Sequence, residues 1–111
     1  MARTISVVAF PTTDLQKAKA FYSTFLGTEP YADTEYYVGY RLDSGLEIGL
    51  DPNGKAVITY VDVDDIKAQL QVLKDAGGNV VMDVTDVAQG LLIAQVEVQG
   101  SVLGLRQKPT E

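Results

Sequence analysis

The sequence contains no cysteine, no histidine and no tryptophan in its 111 residues. Without cysteine there are no disulfides, no thiolate nucleophile and no thiolate metal site. Without histidine, Ser-His catalysis, histidine general bases, His-ligated zinc and the two-His-one-carboxylate iron site are all excluded. Cation charge is also scarce: 9 Lys+Arg stand against 15 Asp+Glu, a net charge of −6. That balance, spread along the chain, argues against nucleic acid or an anionic membrane as partner. Long apolar runs are missing as well. The stretch from Ile5 to Phe10 stops at Pro11, too short for a signal peptide or a membrane span. A soluble, cytoplasmic protein is the expectation.

What is present is globular. A hydrophobic share of 46% and a charged share of 22% are those of an ordinary folded domain, and the length fits one such domain. Ile5 to Phe10 reads as a strand. Thr13 and Gln16 have capping-box spacing and open a helix whose apolar stripe is Leu15, Ala18, Tyr22 and Phe25, closed by Gly27. Glu35 to Leu42 and Leu46 to Leu50 read as strands around the turn Asp43-Ser44-Gly45.

After Asp51-Pro52-Asn53-Gly54 the pattern restarts. Val57 to Val63 is a strand, Asp64-Asp65 caps a helix with the stripe Ile66, Leu70 and Leu73, and Gly77-Gly78 stops it. Asn79 to Val84, Leu91 to Val98 and Ser101 to Leu105 read as strands. Val7 to Gly27 aligns with Ile58 to Gly78, and Gly45–Leu50 with Gly100–Leu105. A repeat near 50 residues is a duplicated supersecondary unit. It gives one domain of two modules, 1–53 and 54–111.

Asp14-Leu15, Phe21-Tyr22 and Leu26-Gly27, with Val63-Asp64-Asp65-Ile66 and Gly100 to Leu105 in the second half, resemble the signatures of the vicinal oxygen chelate superfamily. Its members include glyoxalases, bleomycin-resistance proteins and extradiol dioxygenases. The resemblance implies an α+β fold of paired βαβββ modules, with curved mixed sheets around a cavity, usually in a homodimer. It also implies metal ligands on the first and last strands of each module. Here those positions hold Val7, Ile58, Gly49 and Gly104, none with a donor side chain, so no metal and no cofactor are expected.

Strand alternation selects the residues facing such a cavity. With Gly49 and Gly104 inward, Glu47 and Arg106 share that face, as do Val7, Ala9, Ile58, Tyr60 and Asp62 on the first strands. Tyr36, Tyr40 and Gln95 complete the ligand-binding set. Glu47 is the sharpest member, a carboxylate on an apolar strand that suits a ligand amine. Arg106 is its counter-ion or a clamp for an anion. Ordinary packing explains the tyrosines equally simply, and capping explains Asp64 and Asp65. The reading favours a metal-independent small-molecule-binding protein, homodimeric, that holds an apolar or cationic ligand. Alternatives are a metal-independent enzyme using Glu47, a Tyr and Arg106, and an accessory module with a filled cavity.

Overall fold

A computed structural model describes residues 3–109. The fold is α+β and falls into two compact units, one holding Ser6–Ile58 and the other formed mainly from Thr59 onward. Each follows the order strand, helix, three strands.

The first unit contains β1 (Ile5–Pro11), α1 (Leu15–Leu26), β2 (Ala32–Asp33), β3 (Val38–Arg41) and β4 (Glu47–Asp51). Its strands lie in the order β2-β3-β4-β1, with β4 parallel to β1 and antiparallel to β3. The helix begins one residue later than the Thr13 cap expected from sequence. Asp14 is the cap, its carboxylate accepting the Lys17 N–H at 3.1 Å, while Thr12 Oγ1 accepts the Asp14 N–H. Gly27 ends the helix at φ 70°, a left-handed conformation that suits glycine.

Leu15, Ala18, Tyr22 and Leu26 pack on Val38, Tyr40 and Leu50, which are fully buried. The last member of the expected stripe is thus Leu26 rather than Phe25. Ala18, Tyr22 and Leu26 keep a four-residue step, which leaves Phe25 turned outward against Phe21.

The second unit contains β5 (Ile58–Asp62), α2 (Ile66–Asp75), β6 (Asn79–Ala88), β7 (Leu91–Val98) and β8 (Ser101–Gln107). Its order is β5-β8-β7-β6, with β5 and β8 parallel and the rest antiparallel. Asp65 caps α2 through the Ala68 N–H, and Ile66 and Leu70 enter a core with Val63, Ala94, Val96 and Leu105. The sixth strand runs four residues beyond the expected Val84. Register shifts along it keep it paired with β7 past the point where its alternation breaks.

The third strand is shorter than the expected run from Glu35 to Leu42. Thr34 Oγ1 accepts the N–H groups of Tyr36 and Tyr37, and the Thr34 N–H bonds the Tyr37 carbonyl, so these residues form a turn.

Candidate functional site

In the first unit, β3 and β4 pair Gly39 with Gly49 and Arg41 with Glu47. Cross-strand partners share a face, so these four residues lie on the side of the sheet away from α1. Val7 and Ala9, paired with Glu47 and Gly49, join them. Glu47 is the only buried charged residue among those described, 7% exposed. Tyr31 donates to its Oε1 at 2.5 Å, and Tyr37 donates to its Oε2.

The surrounding backbone is shaped to hold this group. A Cβ on Gly39 would stand 2.9 Å from Glu47 Oε2, and one on Gly49 would lie 2.8 Å from ring carbons of Tyr37. The two glycines therefore create the room that the carboxylate and the phenol fill. The Thr34 turn aims Tyr37, and Tyr31 is tied to the sheet through its N–H to the Gly39 carbonyl at 3.0 Å. The Arg41 guanidinium lies 4.1 Å from the centre of the Tyr31 ring, a cation–π contact.

Burial, and then the hydrogen bond to Glu47 and its charge, push the Tyr31 phenol above its ordinary pKa, with Arg41 opposing. Tyr31 is accordingly a firm proton donor. A carboxylate has about four lone-pair sites, and the two phenols occupy one on each oxygen. The remaining acceptor capacity suits an N–H or ammonium donor.

In the second unit, Tyr60, Gly104 and Gln95 are in register, as are Asp62 and Arg106, on the face away from α2. Gln95 Nε2 donates to the Tyr60 hydroxyl at 2.9 Å. The Tyr60 ring covers Gly104, where a Cβ would come within 2.8 Å of the ring's Cγ. The counter-ion of Arg106 is Asp62 at 3.3 Å, with Lys108 at 3.8 Å from the other oxygen. This replaces the expectation that Arg106 serves Glu47.

Two further placements differ from the sequence reading. Tyr40 lies on the opposite face, fully buried against α1. Its hydroxyl donates to the Lys19 carbonyl at 2.9 Å, so the 2.8 Å contact with Ser23 Oγ is one in which Ser23 donates. Tyr36 sits on the Thr34 turn and is 72% exposed. Sequence reasoning groups Tyr31 and Tyr37 with Tyr36 and Tyr40 as a tyrosine cluster that either packs or lines a ligand site, but leaves these two out of the ligand-binding set. Tyr37 had a further signal, its place three residues after Thr34, the spacing of a Thr-closed turn; Tyr31 had no more than the cluster, because only the fold brings it to Glu47.

The positions at which the resemblance implies metal ligands do not fit an ion. Val7 and Ile58 are buried aliphatics, and Gly49 and Gly104 lie beneath tyrosine rings. The nearby carboxylates are engaged, Glu47 by two phenols and Asp62 by two cations. Among the described residues no group of three or more His, Cys, Asp or Glu is arranged to hold a metal. No helix among them is long and apolar enough to cross a membrane.

The model of one protein family, described as the Glyoxalase/Bleomycin resistance protein/Dioxygenase superfamily, matches residues 4–97. No curated protein matches the chain. Among solved structures, a hypothetical protein from Bacillus halodurans C-125 superposes with a TM-score of 0.81 at 13% identity, covering 100% of this chain and 98% of that one. A glyoxalase/bleomycin resistance protein/dioxygenase superfamily member from Vibrio splendidus 12B01 gives 0.71 at 20% identity, covering 96% and 98%. Methylmalonyl-CoA epimerase from Mycobacterium tuberculosis gives 0.72 at 17% identity, covering 96% and 88%. At these identities the likeness is one of fold.

Proposed function

The chain belongs to the glyoxalase/bleomycin resistance protein/dioxygenase superfamily, and within it we propose a metal-independent small-molecule-binding protein that takes a cationic or N–H-donating ligand at Glu47. One observation carries this reading: a buried carboxylate held by two tyrosine hydroxyls on a face that Gly39 and Gly49 leave open to it. Burying a carboxylate is costly unless hydrogen bonds and an opposite charge compensate. Two phenols supply the bonds, and the ligand supplies the charge. Tyr31 and Tyr37 add apolar area beside the polar handle, the ordinary make-up of a small-molecule site.

An enzyme acting through Glu47, a tyrosine and Arg106 is less well supported, since Arg106 is ion-paired with Asp62. The reading includes a homodimer, for which exposed aromatics such as Phe21, Phe25 and Tyr36 speak.

Amide chemical-shift mapping with phenethylammonium as probe tests the assignment. Saturable shifts at Gly39, Glu47 and Gly49 support it. Shifts that are absent, or confined to other residues, overturn it.

A further inference from the structure

The carboxylate of Glu47 has a cation beside it that does not pair with it. Arg41 and Glu47 stand directly opposite each other on β3 and β4, where cross-strand side chains start about 4.5–5.5 Å apart. The Leu42 N–H bonds the Leu46 carbonyl at 2.9 Å and closes the hairpin between them, which fixes this register. Opposite charges so placed ordinarily join and stabilise the strand pair. Here they do not. Arg41 is exposed and forms no ion pair among the described residues.

Tyr31 accounts for the separation. Its hydroxyl donates to Glu47 Oε1, and the Arg41 guanidinium lies over its ring, 4.1 Å from the centroid. One phenol thus engages both charged groups and keeps them side by side. A guanidinium stacked on a ring still has N–H donors in its own plane, in the fork that matches a carboxylate.

The charge balance then selects the ligand. The Glu47 carboxylate and the Arg41 guanidinium cancel each other before any ligand arrives. A simple ammonium answers Glu47 but sets a second cation near Arg41. A simple carboxylate answers Arg41 but meets Glu47. A molecule that carries both charges satisfies each group and leaves the site neutral.

We propose that this site takes a zwitterion, a small α-aminocarboxylate with an apolar side chain, its ammonium on Glu47 and its carboxylate on Arg41. The proposal rests on the reading of Glu47 as the ligand's anchor, and adds a second anchor and with it the ligand class. Charge-assisted hydrogen bonds of about 2.7–2.9 Å form at each end, the one at Arg41 bidentate. Ala9, on the same face, and the rings of Tyr31 and Tyr37 supply apolar surface for the side chain.

Amide chemical-shift titration of the full chain with compounds of one skeleton tests this. Phenylalanine carries both charges, phenethylammonium only the cation, and 3-phenylpropionate only the anion. Phenylalanine should bind at Gly39, Glu47 and Gly49 about fivefold more tightly than phenethylammonium, the upper range for an exposed ion pair. The anion should bind most weakly. Arg41→Gln, with circular dichroism confirming the fold, should erase the advantage of phenylalanine. It should leave phenethylammonium bound as tightly or more so, because a like charge has gone.

Three results overturn the zwitterion and leave Glu47 its role: phenethylammonium binding the wild type as tightly as phenylalanine, an advantage that survives Arg41→Gln, or equal weakening of both compounds by that variant. The last would make Arg41 a support for Tyr31 alone. No shifts at these residues with either ammonium compound would instead remove Glu47 as the anchor, and the zwitterion with it.

Discussion

The ring of Tyr37 stands over Gly49 in the space a β-carbon would need, with ring carbons 2.8 Å from that point. Tyr60 covers Gly104 in the same way in the second unit. Both glycines have backbones that other residues adopt, so their role is room rather than an unusual φ. A methyl group in such a packed place forces the ring or the strand to move, at a cost of about 1–3 kcal/mol.

Gly104→Ala should therefore lower stability by about 1–3 kcal/mol in urea denaturation, with an unchanged slope. At Gly104 the obstructing atoms include the root of the Tyr60 ring, which swings away less readily than the tip of Tyr37 over Gly49. Gly49→Ala should accordingly cost less than Gly104→Ala. The reverse order would mean that Tyr37 is the more firmly held ring.

Removing either phenol from Glu47 takes away one donor to a buried carboxylate. Tyr31→Phe and Tyr37→Phe should each cost about 1–3 kcal/mol. Because both act on one group, the double variant should depart from additivity by at least about 0.5 kcal/mol. Strict additivity in the same denaturation series would show that the two phenols do not share Glu47.

Alkaline pH should reveal Tyr31. Its pKa is raised above 10.0 in the folded chain, by burial first and then by its bond to Glu47. The protonated phenol is thus favoured by folding. Its contribution is fully present below pH 10.0 and is lost as pH rises through the higher folded value. The stability gap between wild type and Tyr31→Phe should narrow above that pH, and tyrosinate absorbance should show one late-titrating group that the variant lacks. A gap that stays constant would contradict the assignment.

Tyr40→Phe makes the opposite case. It removes a hydroxyl that bonds the Lys19 carbonyl and Ser23 on the α1 side. We expect a loss of about 1 kcal/mol in stability and no change in the affinity for an ammonium probe. A change in affinity would return Tyr40 to the ligand face.

The repeat of strand, helix and three strands was legible because punctuation marks it: a capping signal before each helix, exact at Asp65 and one residue early at Thr13 where Asp14 caps, and Gly27 and Gly77 as stops. Alternation on β4 was legible too, and it set Glu47 apart from Ile48 and Leu50. On β3 it was not. That strand has only four residues, and the adjacent Tyr36 and Tyr37 belong to a turn rather than to the pleat. Continuing the alternation back from Gly49 through the cross-strand pairing with Gly39 corrects the phase and turns Tyr40 toward the helix. The tie between Tyr31 and Glu47, 16 residues apart, and that between Asp62 and Arg106, 44 apart, depend on strand register and loop path. Local pattern carries neither.

Calorimetric titration of wild type and Glu47→Gln with phenethylammonium, beside neutral phenethyl alcohol, tests the central claim most directly. Replacing a charged acceptor by an amide should weaken the ammonium compound by about 1–3 kcal/mol, roughly 5- to 150-fold in Kd. The alcohol should bind both proteins nearly alike, and circular dichroism should show the same fold. Equal affinities of the ammonium compound for the two proteins would contradict the account and reduce Glu47 to a structural partner of Tyr31 and Tyr37.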